Sequence, residues 1–256
     1  MVAGENFLTP VTFFLFFLTN FNSNNFWCYL KLRTFAEKIG LMSKKLYYTY
    51  GAMGSSKTAQ LLMNAYSMQE RGIPFLCLKP SLDDRDGVGI IKSRVGISRE
   101  CIAVERDVDL YEFINAYVVN ASLEGVPKPL WILVDECQFL TARQVEQLSD
   151  VVDYLGINVI CYGLRADFCT QSFEGSKRLF ELADNISEIK VSCKCGRKAV
   201  VNARIDAYGE IVTNGEQVMI GGDAQYISMC RRCYKEAVKK KKERENGNYK
   251  EEEDIF

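Results

Sequence analysis

Residues 51–58 read GAMGSSKT. A phosphate-binding loop reads G-x-x-x-x-G-K-[ST]; here Gly51, Lys57 and Thr58 fit, and Ser56 stands at the second glycine. In such a loop the backbone N–H groups, here those of Gly51, Ala52, Met53, Gly54, Ser55 and Ser56, cradle phosphates at the positive end of a helix. Lys57 would reach the β- and γ-phosphates, and Thr58 would hold Mg²⁺. If position 56 needs a left-handed backbone, serine costs about 1–2 kcal/mol there, which weakens a nucleotide site without abolishing it.

Residues 130–140, LWILVDECQFL, run five apolar side chains into Asp135 and Glu136. A buried parallel strand ending in a carboxylate puts that charge at the sheet's carboxyl edge, where ligands bind. Asp135 then orders Mg²⁺ through water. If both acids continue the strand they face opposite ways, which turns Glu136 toward a substrate. The chain has no histidine, so any general base is a carboxylate and any zinc site uses cysteine or carboxylate. Asp83, Asp84 and Arg85 in SLDDRDG either serve Mg²⁺ and phosphate or form an exposed turn.

Cys193-Lys-Cys195 and Cys230-Arg-Arg-Cys233 have the spacing of a closed, four-thiolate Zn²⁺ site. No ligand position is left for water, so the metal is structural, contributing on the order of 10 kcal/mol to its lobe. Phe168 and Phe173 in GLRADFCTQSF and Tyr226 in MIGGDAQY have the rings to sandwich a planar base; the alternative is that they are core.

The elements that must position these residues alternate. KLYYTY is strand-like, and 57–71 is helical, with Gly72 and Pro74 as stop signals. FLCLK, LWILV, INVICYG and ISEIKVS read as further strands. Asp107 is expected to cap a helix carrying Leu110, Phe113, Ile114 and Tyr117 on one face. Thr141 and Gln144 form a capping box for a helix that stops at Gly156, and another helix is expected over 175–184. Continuous apolar strands alternating with helices predict an α/β fold with a parallel sheet covered on both faces. From Cys193 the pattern changes to short strands, turns and cysteine pairs, and the tail KKKKERENGNYKEEEDIF is expected to be disordered.

With 256 residues there is room for one good-sized domain and a small one. A net charge of −1 gives no global field toward nucleic acid or membrane. Cys28, Cys77, Cys101, Cys137, Cys161 and Cys169 stand singly and read as buried thiols of a reducing compartment. Residues 1–42 are rich in Phe and Asn; their apolar run is too interrupted to span a bilayer, and their first charge is Glu5, unlike a signal peptide. They are expected to be a non-native or weakly folded extension, with Met42 a natural start before the first strand.

The order GAMGSSKT, DDR, VDECQFL, YGLRADF, C-x-C, VMIGGDAQY, CRRCY resembles the zinc-containing thymidine kinases of the cytosolic and bacterial type, over about residues 43–240. The resemblance implies a P-loop kinase core over 43–192 and a small zinc-binding lobe over 193–234 whose lasso loop closes on the nucleoside, followed by a helix end and tail over 235–256. It implies transfer of phosphate from ATP to the 5′-hydroxyl of thymidine, with deoxyuridine a further candidate acceptor, in a cytoplasmic tetramer that engages neither nucleic acid nor membrane. By matching motif, Gly51 to Thr58 bind the ATP phosphates, while Asp83, Asp84, Arg85, Asp135, Cys137 and Gln138 line the ATP–Mg²⁺ site. Glu136 matches the catalytic base, and Arg85 or Arg165 would neutralise the transferring phosphoryl group. Phe168 and Tyr226 match contacts to thymine, and Gln217, Val218, Met219, Ile220 and Gly221 match the lasso backbone that reads the base edge. Cys193, Cys195, Cys230 and Cys233 match the Zn²⁺ ligands. Ser56 departs from the family's usual glycine, which keeps a catalytically impaired nucleotide-binding paralogue as an alternative; a zinc-ribbon ATPase acting on nucleic acid is another.

Overall fold

A computed structural model describes residues 43–215, 217 and 225–246. The larger part runs β1 (Leu46–Tyr50), α1 (Lys57–Glu70), β2 (Phe75–Pro80), β3 (Ile90–Lys92), β4 (Ser98–Glu100), β5 (Ile102–Val104), α2 (Leu110–Leu123), β6 (Trp131–Val134), α3 (Ala142–Leu155), β7 (Asn158–Gly163), α4 (Glu174–Leu182) and β8 (Asn185–Glu188). The smaller part follows as β9 (Val201–Ile205), β10 (Ile211–Val212), β11 (Gln225–Met229) and α5 (Arg231–Glu245). Both belong to the compact unit that begins at Lys44.

Six strands form a parallel sheet in the order β5-β2-β6-β7-β1-β8. Strand alternation sorts their side chains into two apolar layers. Leu76, Leu78, Ile132, Val134, Val159 and Cys161 pack with residues of α2, α3 and α4, including Ile114, Leu148 and Leu179. Cys77, Leu133 and Tyr162 face the other way, onto Leu61, Leu62 and Ala65 of α1. Because both faces are covered over the middle of the sheet, β2, β6 and β7 read as largely apolar runs, while the edge strand β8, NISE, is mostly exposed, and function is left to the strand ends.

The capping box at Thr141 and Gln144 opens α3, and left-handed Gly156 closes it, as expected. The cap of α2 differs: it is Asp109, whose carboxylate accepts from the Glu112 amide at 3.1 Å, and not Asp107. Gln147 of α3 accepts from the Leu110 amide at 3.0 Å, so tertiary packing sets where α2 begins. Leu110, Ile114 and Ala121 are then buried and Tyr117 is exposed. β8 ends at Glu188, short of the expected strand, and Ser192 pairs instead with Lys198 in the cysteine turn.

β3 and β4 form a separate antiparallel hairpin. Their strands are three residues each and one is wholly polar, so no periodicity announces them. The second sheet is antiparallel, β10-β9-β11. α5 covers it through Tyr234, Ala237 and Val238 and continues to Glu245, through residues expected to be disordered. Arg244 bonds Glu210 at 3.0 Å and Lys239 pairs with Glu243 at 3.5 Å, which carries the charged run as helix. No helix among the described residues is long and apolar enough to cross a membrane.

Candidate active site

β1 delivers the chain to the carboxyl edge of the sheet at Gly51, and α1 leaves from Lys57. No side chain fits at Gly51: a Cβ there would press on Ser55 and lie 2.6 Å from the Ile189 carbonyl oxygen. Ser56 has φ 64°, the left-handed conformation that the motif's glycine supplies, and its exposed side chain makes no capping bond. Lys57 folds over the loop, its Nζ donating to the carbonyls of Gly51 at 3.2 Å and Ala52 at 3.0 Å and to Ser55 Oγ at 3.4 Å. Burial pulls the Lys57 ammonium below its usual range, against the opposing pull of Glu136 and Asp135.

Asp135 follows β6 and is buried, its Oδ1 accepting from Thr58 Oγ1 at 3.4 Å. Burial first, and the charge of Glu136 second, push its carboxyl up to about 7. A buried carboxylate beside a hydroxyl, short of positive charge, suits a cation. Glu136 does not continue the strand. Its φ is 48°, and it opens a 3-10 turn over Cys137–Phe139, so this left-handed residue, rather than the pleat of a strand, sets the direction of Glu136. Arg85 Nη2 donates to Glu136 Oε1 at 2.9 Å, and Gln138 Nε2 donates to Oε2 at 2.5 Å.

Cys137 and Gln138, expected to line the nucleotide site, are buried behind it. Cys137 is part of the main core, where burial and the neighbouring Cys161 hold its thiol well above the usual range. Gln138 bridges the turn to β7: its amide nitrogen donates to Glu136 and its Oε1 accepts from the Leu164 amide at 2.9 Å. A Cβ at Gly163 would sit 2.5 Å from Cys137 Sγ and 2.7 Å from Gln138 Oε1, so only glycine lets β7 back against this turn.

These groups open onto one cavity of about 550 Å³ whose lining includes Lys57, Thr58, Asp83, Arg85, Asp135 and Glu136. Burial opposes ionisation of Asp83, but bonding to Arg85 at 2.5 Å and the charge of Lys79 outweigh it and hold the carboxyl below its ordinary value. Asp84 is exposed and does not line the cavity; Arg165 points away, to the Val200 carbonyl at 3.3 Å. The pattern missed Lys79, Ser93 and Arg94, which do line it. The one signal was a lysine inside the apolar strand FLCLKP.

The small sheet grips the phosphate loop at Met53. Asn202 Oδ1 of β9 accepts from the Met53 amide at 2.8 Å, and Ser228 Oγ of β11 donates to its carbonyl at 2.5 Å. Asn202 Nδ2 also donates to the Ala166 carbonyl at 3.1 Å, tying in the segment after β7. In that segment Phe168 is buried, and the Arg204 guanidinium lies 3.7 Å from its ring centroid. Tyr226 Oη accepts from Arg204 Nε at 3.1 Å, so the two rings expected to meet a base bracket a guanidinium. Phe173 is buried edge-on against Phe139 with ring centroids 5.9 Å apart, and belongs to the core. Gln217 donates to buried Asp167 at 2.9 Å. Val218 to Gly221 lie outside the described residues.

The sulfurs of Cys193, Cys195, Cys230 and Cys233 all lie within 4.8 Å of one another, with Cys195 and Cys230 at 3.6 Å. Tetrahedral Zn²⁺ with Zn–S of about 2.3 Å puts sulfurs about 3.8 Å apart, so the donor set fits that ion. Cys230 caps α5, and the Cys233 amide donating to its sulfur pulls the thiol down to about 7, toward the ligating thiolate.

A parallel sheet with a phosphate loop after one strand and an acid pair after another defines a P-loop nucleotide-binding protein of the kinase type. A family model described as thymidine kinase matches residues 44–234, and the chain belongs to the thymidine kinase family. It is 45% identical over 196 residues to the thymidine kinase of Vibrio vulnificus (strain CMCP6), covering 77% of this chain and 99% of the relative. The Vibrio cholerae thymidine kinase is 45% identical over 194 residues, 76% of this chain and 98% of its own. That of Mannheimia succiniciproducens is 43% identical over 196 residues, 77% and 97% respectively.

Proposed function

We propose that this chain transfers the γ-phosphoryl group of ATP to the 5′-hydroxyl of thymidine. The observation that carries the reading is the convergence of Lys57, Thr58, Asp135 and Glu136 on one cavity in a thymidine kinase family chain. The loop amides and Lys57 bind the phosphates. Thr58 and Asp135 are the residues that would hold Mg²⁺, which when bound draws charge from the β- and γ-phosphates. Glu136 takes the proton of the 5′-hydroxyl as that oxygen bonds to Pγ. The bond from Pγ to the β,γ-bridging oxygen breaks and leaves its electron pair on ADP. Gln138 and Arg85 hold the Glu136 carboxylate in place for this proton transfer.

The four cysteines would hold Zn²⁺, which supplies a fixed cross-link between the Cys193 turn and α5. On this reading 43–192 act as the kinase core and 193–234 as the lobe that closes on the nucleoside, with Gln217 to Gly221 along the base and Phe168 and Tyr226 flanking its pocket through Arg204. We read the active form as a cytoplasmic tetramer. The impaired-paralogue and nucleic-acid readings gain no supporting observation. A coupled ADP-release assay with thymidine, deoxyuridine and other nucleosides tests the function. Turnover of thymidine above all of them except deoxyuridine is expected, and ATP hydrolysis unchanged by any nucleoside would sink it.

A further inference from the structure

We propose that Arg94, at the turn of the β3–β4 hairpin, is a catalytic residue that meets the γ-phosphate of ATP and follows its charge through transfer. The proposal rests on the phosphotransferase reading above. Five cationic residues among those described line the cavity: Lys57, Lys79, Arg85, Lys92 and Arg94. Lys57 is committed inside its own loop. Lys79 is buried, donates to the Ile90 carbonyl at 2.8 Å and lies 3.6 Å from Asp83. Arg85 is neutralised by Asp83 and Glu136 at once. The side chains of Lys92 and Arg94 line the same cavity and make no hydrogen bond or ion pair among the described residues; of the two, only Arg94, on the braced turn, carries the planar fork that matches phosphate oxygens. Its charge reaches the phosphate lysine, where it adds to the lowering of the Lys57 ammonium.

The hairpin holds this arginine on a braced turn. Ile91 is buried against α1 in the layer of Leu61 and Leu62, and Lys79 fastens the neighbouring Ile90 carbonyl to β2. Ser93 is buried, its amide donating to the Ile97 carbonyl at 2.9 Å, and the Gly96 amide donates to the Ser93 carbonyl at 3.0 Å. Gly96, with φ 88°, completes the turn in a conformation that would strain other residues. The backbone under Arg94 is therefore fixed while its side chain is free to meet a ligand. A guanidinium fork suits phosphate oxygens, and an unneutralised one stabilises charge on them most. In the transfer itself O5′–Pγ forms, Pγ–O to ADP breaks, the proton goes to Glu136, and Arg94 exchanges no atom.

The test uses the full chain and compares Arg94→Gln, Arg94→Lys and Lys92→Gln, since Lys92 also lines the cavity. ATP and ADP affinities are measured without nucleoside, and turnover with thymidine. Arg94→Gln should weaken ATP by roughly tenfold while leaving ADP within about twofold, because only ATP carries the γ-phosphate. Its kcat should fall by about 10²–10³-fold, the usual effect of deleting one donor to developing charge. Arg94→Lys should recover part of the ATP preference, and Lys92→Gln should leave both measures within about threefold. An unchanged ATP-to-ADP ratio in folded Arg94→Gln, or the same losses from Lys92→Gln, would overturn the assignment. The ratio needs no nucleoside, so it decides Arg94 even if the wild type phosphorylates none, a result that would sink only the thymidine reading.

Discussion

The phosphate loop and the cysteine cluster are both tight turns that gather a site, but opposite means hold them. The loop leaves a strand clamped between two apolar layers, with Leu46 and Tyr48 of β1 fully buried. The cysteine turn has little beneath it: Cys193, Ala199 and Cys230 are its buried cluster, and Ala203, Ile205 and Ile211 that of the adjoining sheet. A large core tolerates backbone strain, because the surroundings over-determine the strained residue. Accordingly the left-handed non-glycine residues among those described, Ser56, Glu136 and Thr170, all follow strands of the six-stranded sheet. A lobe with so few apolar residues lacks that reserve, and its four clustered sulfurs are where a metal would supply it. Asn202 and Ser228 then couple the two, since the weaker part holds Met53 of the stronger one.

The contrast is tested most severely by Cys233→Ser. It should abolish binding of one Zn²⁺ per chain, worth on the order of 10 kcal/mol, and loosen the lobe while the large sheet persists. Metal analysis with hydrogen exchange over 193–234 measures this; a variant that keeps its metal and its protection would refute the metal's role. Next is Glu136→Gln, expected to lower kcat by about 10²–10⁴-fold with thymidine binding retained. Near wild-type turnover would remove the base assignment.

Asp135→Asn should act on stability as well as on metal use. The folded carboxyl, raised to about 7, binds its proton more tightly than the unfolded one near 3.9. That favourable contribution is full below the unfolded value and is lost as pH rises through about 7, so the charged form burdens the ligand-free fold at alkaline pH. The gain in Tm from Asp135→Asn should therefore be larger at pH 8 than at pH 5; equal shifts would mean that burial does not perturb this acid.

Asn202→Ala asks whether the two regions are coupled. It leaves the Met53 amide without its partner, so the KM for ATP should rise by about five- to tenfold. An unchanged KM would make the clamp purely structural. The smallest effect is expected from Ser56→Gly. Position 56 is left-handed, so relief of about 1 kcal/mol should appear in Tm, partly offset by the freedom of the unfolded glycine. ATP affinity should stay within about twofold, whereas Ser56→Val should destabilise clearly. A large gain in ATP affinity from Ser56→Gly would instead mean that the loop of the wild type is misformed.

Much of this was legible beforehand. Local signals carried the phosphate loop, the acid pair, the cysteine pairs and the caps of α3, because loop geometry, capping and metal spacing depend on residues near one another in sequence. The cap of α2 was misplaced by two residues because Gln147 of another helix selects Leu110 as its start. The β3–β4 hairpin, and with it Arg94, gave no periodic signal.

The sequence by itself determined the parallel α/β class, the sheet edge where the cavity lies, and several of the groups placed there, Lys57, Thr58, Asp83, Arg85, Asp135 and Glu136 among them. Only the tertiary structure decided how those groups face one another. Cys137 and Gln138 turn inward because Glu136 breaks the strand with a left-handed backbone and β7 closes against them at Gly163. Phe168 and Tyr226 hold Arg204 because strands β9 and β11 are paired, bringing residues 204 and 226 side by side. Lys79 and Asn202 matter through partners distant in sequence, Ile90 and Met53. Such partnerships depend on which elements pack together, and composition, spacing and period constrain that only after the core has formed.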